Sequence, residues 1–140
     1  MEELIKAIYE ELTGNSALVA VVLQPTTNQL ANGIYYDTAP AEATFPYIVY
    51  YIISNAQENT FSTSNNVESN LVQFSIFSKT QGIAEIKSIR SKLRTALERA
   101  SLTYDSHTAA GGAVRMAGTS PIRTEDGWMA TEDYMIWFTV

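Results

Sequence analysis

The chain has 140 residues, 46% of them apolar, a formal charge of −6 and no cysteine. That length and apolar share suit one domain, 1–140, with a core large enough to fold unaided. The absence of cysteine excludes disulfides, thiolate catalysis and finger-type zinc sites, and the negative charge argues against unaided binding to a nucleic-acid backbone.

The start, Met1-Glu2-Glu3, is acidic where a signal peptide would be basic. No apolar run reaches the roughly 18 to 20 residues of a membrane span. Synthesis and folding in the cytoplasm, with no membrane contact, are therefore expected. Charge is distributed unevenly. Residues 1–70 carry eight carboxylates against the single Lys6, whereas 79–99 hold Lys79, Lys87, Arg90, Lys92, Arg94 and Arg99 against Glu85 and Glu98. Such a chain is dipolar: one basic helix on an acidic body. The basic side chains form either a solvated helix face or a complementary contact between copies of the chain.

Taken in order, Glu2 to Thr13 predicts a helix, since Leu4, Ile8 and Leu12 recur every four residues beside Ile5. Gly14 stops it, Asn15 or Ser16 caps a short second turn bearing Leu18 and Val19, and Pro25 ends that turn. Ile34-Tyr35-Tyr36 predicts a short edge strand after the Asn32-Gly33 turn signal. The chain is organised around Phe45 to Ser78. Phe45-Pro46-Tyr47-Ile48-Val49-Tyr50 opens one strand, with Pro46 at its first position. Val72-Gln73-Phe74-Ser75-Ile76-Phe77 alternates as a second, with Val72, Phe74 and Ile76 on one face. Between them the polar, almost uncharged segment 55–66 reads as an extended hairpin arm, longer than ordinary hairpin loops. Phe61 is its one large apolar residue. It either meets a partner or folds back onto its own sheet.

Thr80 is a candidate cap for the longest helix, lined by Ile83, Ile86, Ile89, Leu93, Ala96, Leu97 and Ala100, with Lys87, Ser91, Arg94 and Glu98 opposite. Leu102 to Gly112 reads as loop, Val114 to Ala117 as a strand, and Pro121 to Gly127 as a turn. Thr131 to Val140 alternates, with Tyr134, Ile136 and Phe138 on one face, and predicts a strand paired inside the sheet. The sum is α+β: a mainly antiparallel sheet of about four strands with two helices packed on one face. Tyrosine and tryptophan crowd the opposite face, which must be covered or unusually amphipathic.

No catalytic constellation emerges, and no enzyme, cofactor or metal is expected. His107 stands alone in Asp105-Ser106-His107-Thr108, without the orienting third group that nucleophilic catalysis needs. Glu132 and Asp133 are strand neighbours and point to opposite faces, so they cannot share a ligand. Gly111-Gly112 lacks the strand–loop–helix setting of a phosphate cradle.

The order of these pieces resembles that of the small tail-completion proteins (tail terminators, or tail-to-head joining proteins) of long-tailed bacteriophages. The likeness rests on the N-terminal helix running into Asn15-Ser16-Ala17-Leu18-Val19, then Gly33-Ile34-Tyr35, the Phe45-Pro46-Tyr47-Ile48-Val49-Tyr50 opening, the Val72–Phe77 strand, the helix through Leu97 and the closing Tyr134-Met135-Ile136-Trp137-Phe138 strand. It spans nearly the whole chain, and the Pro-Tyr-Ile-Val-Tyr opening is its most specific piece. The resemblance implies a homo-oligomeric ring, a hexamer, in the neck of the virion tail. Such a ring caps the tail tube protein, ends its polymerisation and meets the head–tail connector protein, with no direct nucleic-acid recognition. Asn59, Thr60, Phe61 and Ser62 of the arm, with Arg90, Lys92, Arg94 and Arg99 of the basic helix, are the expected subunit or tube contacts. The alternative is a cytoplasmic ferredoxin-like α+β module binding a small molecule or regulating a partner, which shares the same layering. It predicts a concave pocket and a monomer or dimer.

Overall fold

The computed structural model describes residues 2–22, 32–41, 43–58, 67–79, 83–98, 102–104 and 107–139. The first helix, α1 (Glu2–Thr13), buries Leu4, Ala7, Ile8 and Leu12, the expected stripe. Gly14 donates back to the Glu10 carbonyl at 2.9 Å. Asn15 caps α2 (Ser16–Val21), its Oδ1 accepting from the Leu18 amide at 3.0 Å. What reads as a single extra turn is thus a third helix. The long helix, α3 (Ala84–Leu97), buries Ile86, Ile89, Leu93, Ala96 and Leu97. Thr80, its expected cap, lies outside the described residues. Ile83 occupies the N-cap position without a side-chain bond. Glu85 steadies the first turn instead, accepting from the buried Ser78 hydroxyl at 2.6 Å.

Seven strands among the described residues form one sheet. They are β1 (Ile34–Tyr36), β2 (Tyr47–Glu58), β3 (Val67–Ser78), β4 (Thr103–Tyr104), β5 (His107–Gly118), β6 (Ile122–Thr124) and β7 (Gly127–Thr139). Their order is β1-β2-β3-β7-β5-β4, with β6 also on β7. The sheet is mixed, because β1 runs parallel to β2 while the other pairs are antiparallel. The expectation of about four antiparallel strands and two helices therefore undercounts both layers, although the α+β class holds.

The differences have local causes. Segment 55–66 is not all loop, since β2 continues to Glu58 after a register shift between Ile52 and Ser54, and β3 begins at Val67. Polar side chains hide these strand ends, and a ladder of amides joins them: Asn55 Nδ2 donates to Asn70 Oδ1 at 2.6 Å and to Glu68 Oε2 at 2.9 Å. Leu102 to Gly112 is likewise mostly strand. Gly111 and Gly112 fall where β5 shifts register against β7, between Ala109 and Ala113, and a bulge accepts glycine readily. Pro121 to Gly127 contains β6, the first arm of a hairpin whose turn is Glu125-Asp126.

All three helices cover the face that carries Ile48, Tyr50, Val72, Phe74, Ile76, Tyr134, Ile136 and Phe138. Phe74 stacks on Tyr50 and meets Tyr134 edge-on, both at 5.7 Å. The Tyr50 hydroxyl ties β2 to α1 by donating to the Ile5 carbonyl at 2.9 Å. Where β7 starts, Gly127 has φ 152°, and an added Cβ would strike the Ser78 carbonyl and stand 3.0 Å from Lys79 Cα. Gly127→Ala should thus lower stability by about 2 kcal/mol or more in urea unfolding, through strain and backbone overlap together.

Candidate functional site

The most unusual side chain in the core is Glu132. It follows the parity of Ala130, Tyr134 and Ile136 on β7, so it points to the helix side and is fully buried opposite Phe74. Three arginines converge on it. Arg90 Nε of α3 approaches Oε1 at 2.5 Å, and Arg115 Nε of β5 donates to Oε2 at 2.5 Å. Arg94, one turn beyond Arg90, reaches Oε1 only at 3.4 Å through Nη2. Arg90 also donates to the Thr119 carbonyl. The Arg115 guanidinium is held in its charged form chiefly by its hydrogen bond to Glu132.

Local sequence explains the convergence. A register shift in β5 between Arg115 and Ala117 leaves Arg115 opposite Tyr134 on the buried face. Gly118, opposite Glu132, leaves space there: a Cβ would collide with Arg115 Nη2 and lie 3.0 Å from Glu132 Oε1.

Of the expected contact residues, Arg90 is thus mostly internal, 17% exposed, and Arg94 is divided between Glu132 and solvent at 40%. Lys92 bonds Ser88 within its own helix at 2.9 Å. Asn59, Thr60, Phe61, Ser62 and Arg99 lie outside the described residues. Lys87, Arg90, Ser91, Arg94, Thr95 and Glu98 line an open groove of about 520 Å³ along α3.

The sheet face away from the helices carries no helix among the described residues, although Val49 and Ser75 on it are buried and Asp37, Thr38 and Ala39 border it. Its rows read Tyr47–Phe77–Met129–Ile122, Val49–Ser75–Thr131, Tyr51–Gln73–Asp133–Ala117 and Ser54–Leu71–Met135–Val114. Tyr51, Val114 and Ile122 are exposed, and Tyr47 stacks on Phe77 at 4.9 Å. Glu132 and Asp133 do point to opposite faces. His107 is paired through its backbone with Tyr104. A second, more apolar groove of about 420 Å³ lies between α1 and β1, lined in part by Ile5, Tyr9, Tyr36 and Tyr50. Among the described residues no group of acidic and histidine side chains could hold a metal ion, and no helix is long and apolar enough to cross a membrane.

A helical layer on one face of a mixed sheet, with charge concentrated on one helix and the other sheet face open, defines a class of small α+β proteins whose features are surfaces. Within that class the chain belongs to the phage tail completion family described as "Tail completion protein gp17", whose model matches residues 6–139. It is a tail structural protein of the phage type. Two solved structures share the fold. A chain of the "Virion of native gene transfer agent (GTA) particle" superposes with a TM-score of 0.76 at 16% identity, covering 99% of this chain and 96% of that one. The protein in "Structure of bacteriophage SPP1 gp17 protein" gives 0.59 at 22% identity, covering 99% and 89%. No curated protein matches the chain by sequence.

Proposed function

We propose that this protein forms a ring, a hexamer, that caps the tail tube, ends its polymerisation and joins the tail to the head connector in the neck of the virion. It works by fitting surfaces together, with no bond made or broken. The observation that carries this reading is membership of the tail completion family across nearly the whole chain. The surfaces support it. A ring needs unlike patches that meet head to tail, and the α3 groove with Lys87 and Arg94 contrasts with the carboxylates of α1, where Glu2 and Glu10 are exposed. Complementary charge sets register and partner choice more than raw affinity. Asn59, Thr60, Phe61 and Ser62 fall in the sequence between β2 and β3, a polar connection suited to strand addition or partner contact. Interfaces of roughly 1,200 Å² or more are required for a stable ring.

The test follows from the geometry. Because Arg90 and Arg94 hold Glu132, reversing them would disturb the fold as well as any contact. Lys92→Glu with Arg99→Glu is the cleaner reversal. It should leave the unfolding midpoint nearly unchanged and weaken assembly, read by sedimentation and by negative-stain images of rings on tail tubes. Deleting 59–66 and closing the hairpin with Asn-Gly should likewise spare folding but abolish joining. Full joining by the shortened chain would remove the arm from the interface. The alternative small-molecule reading places a ligand in the Tyr9–Tyr36–Tyr50 groove of a monomer or dimer, and rings on tubes would exclude it as the main role.

A further inference from the structure

Among the described residues the sheet ends in two unlike, partly unpaired edges. On one side β1 covers β2 only from Ile48 to Tyr50, so Tyr51 to Glu58 has β3 as its one neighbour. On the other, β4 pairs with His107 and Thr108 while Glu98 bridges Ala113, which leaves Val114 to Gly118 with β7 alone. Alternation shows where the backbone groups point. Ile48 donates to the Gly33 carbonyl at 2.7 Å and the Tyr50 carbonyl accepts from Asp37 at 2.8 Å, so Ile52 also faces outward. The register shift between Ile52 and Ser54 then moves the outward set to Asn55 and Gln57, both exposed. On β5, Thr119 donates across to Thr131, so Gly118 and, past the register shift, Arg115 turn their backbone outward.

Neither edge carries the lysine or proline that blocks strand addition. Tyr51 to Gln57 is uncharged, and the one charge between Val114 and Gly118, on Arg115, is held by Glu132. Each edge does carry a bulge, which deters a flat, generic strand. At each bulge an apolar side chain stands in solvent: Ile53 is 45% exposed and Met116 55%. Tyr51 and Val114 beside them are exposed as well. A matching edge would satisfy the backbone groups and bury these side chains together.

We propose that the Tyr51–Glu58 edge of β2 takes the Val114–Gly118 edge of β5 from a second copy of this chain, continuing one sheet from subunit to subunit. The joint is head to tail, the kind that closes into rings. All three helices lie on one face. A continued sheet therefore sets the basic α3 of one copy and the acidic α1 of the next on the same side, where their charges attract. This deepens the ring reading and rests on it for closure alone.

Ile53→Lys and Met116→Lys each place a charge on one edge. Both positions are exposed, so melting temperatures should stay within about 2 °C of wild type. In sedimentation of the whole chain, wild type is expected to associate with a dissociation constant of about 0.1 mM or tighter. Each lysine variant alone should remain a monomer. Mixed in equal amounts, the two should form pairs and stop there, because one sound β2 edge meets one sound β5 edge. Gln57→Pro removes an outward amide that its own sheet does not use, and it should behave as Ile53→Lys does. The joint is overturned by a monomeric wild type, by a lysine variant or Gln57→Pro that associates normally, or by a mixture without pairs. Normal association of Met116→Lys alone would mean that like edges meet. Negative-stain images on tail tubes read the ring separately. Rings made equally by both lysine variants would keep the ring and reject the joint, whereas paired mixtures without wild-type rings would keep the joint and reject the ring.

Discussion

Replacing Glu132 with alanine is expected to destabilise the protein by about 3 kcal/mol, roughly 10 °C in melting temperature for a domain of this size. The reason is uncompensated charge. Removing the one carboxylate leaves Arg90, Arg94 and Arg115 facing one another around an apolar strand. Breaking a buried pair this way costs about 3 to 5 kcal/mol, and the lower end applies because the arginines keep 17–40% of their surface in solvent. Glu132→Gln preserves shape and one acceptor and should cost less. Combining it with Arg115→Gln should recover part of the loss, and with the Arg115→Gln single variant the cycle gives the coupling energy. Urea unfolding measures all four variants. A Glu132→Ala midpoint equal to wild type would mean the cluster contributes nothing to stability.

Alkaline unfolding between pH 10 and 12 is the second large effect. Burial pushes the Tyr134 hydroxyl up to about 12, and burial raises Tyr50 further still. Both side chains are fully buried, so ionisation is opposed in the folded state and free in the unfolded chain. The native protein therefore holds more protons above pH 10, and its stability falls as pH rises. Below pH 10 both states carry neutral tyrosine and this contribution is constant. Each such tyrosine costs about 1.4 kcal/mol per pH unit inside the window. Two of them together remove about 5 kcal/mol by pH 12, comparable to the whole stability of many domains. Tyr134→Phe deletes a hydroxyl that has no partner, so it should be nearly neutral at pH 7 and shift the alkaline midpoint upward. Tyr50→Phe also loses the bond to Ile5 and should cost about 1 kcal/mol at pH 7. An unchanged alkaline midpoint in Tyr134→Phe would refute the assignment. Circular dichroism against pH is sufficient.

Strands with strong alternation were legible from sequence, and so was the helix stripe. Val72, Phe74 and Ile76 face the core as their spacing demands, and Tyr134, Ile136 and Phe138 do the same. What escaped were strand segments whose partners, not their own residues, make them strands. Asn55 to Glu58 is polar, and His107 to Gly112 is small and glycine-rich, yet both pair across the sheet. Propensity is a weak guide where cross-strand neighbours decide. The arginine cluster was half visible. Extending the parity of Tyr134 by two residues puts Glu132 in phase with the core, and a carboxylate there requires cations. The helix wheel set Arg94 on the outer side, and only the packing of α3 beside β5 and β7 brings Arg90 and Arg115 to meet it.

The helix-free sheet face has a consequence for how the molecule behaves in different salts. Asp133 is the only charged side chain in the four rows from Phe77 to Leu71. Adhesion through that plane should therefore strengthen in ammonium sulfate, which is excluded from apolar surface. Contacts through α3 should fade in sodium chloride, as ions screen them. A pair of salt ramps run on the same sample thus reports which side of the molecule is holding its neighbour.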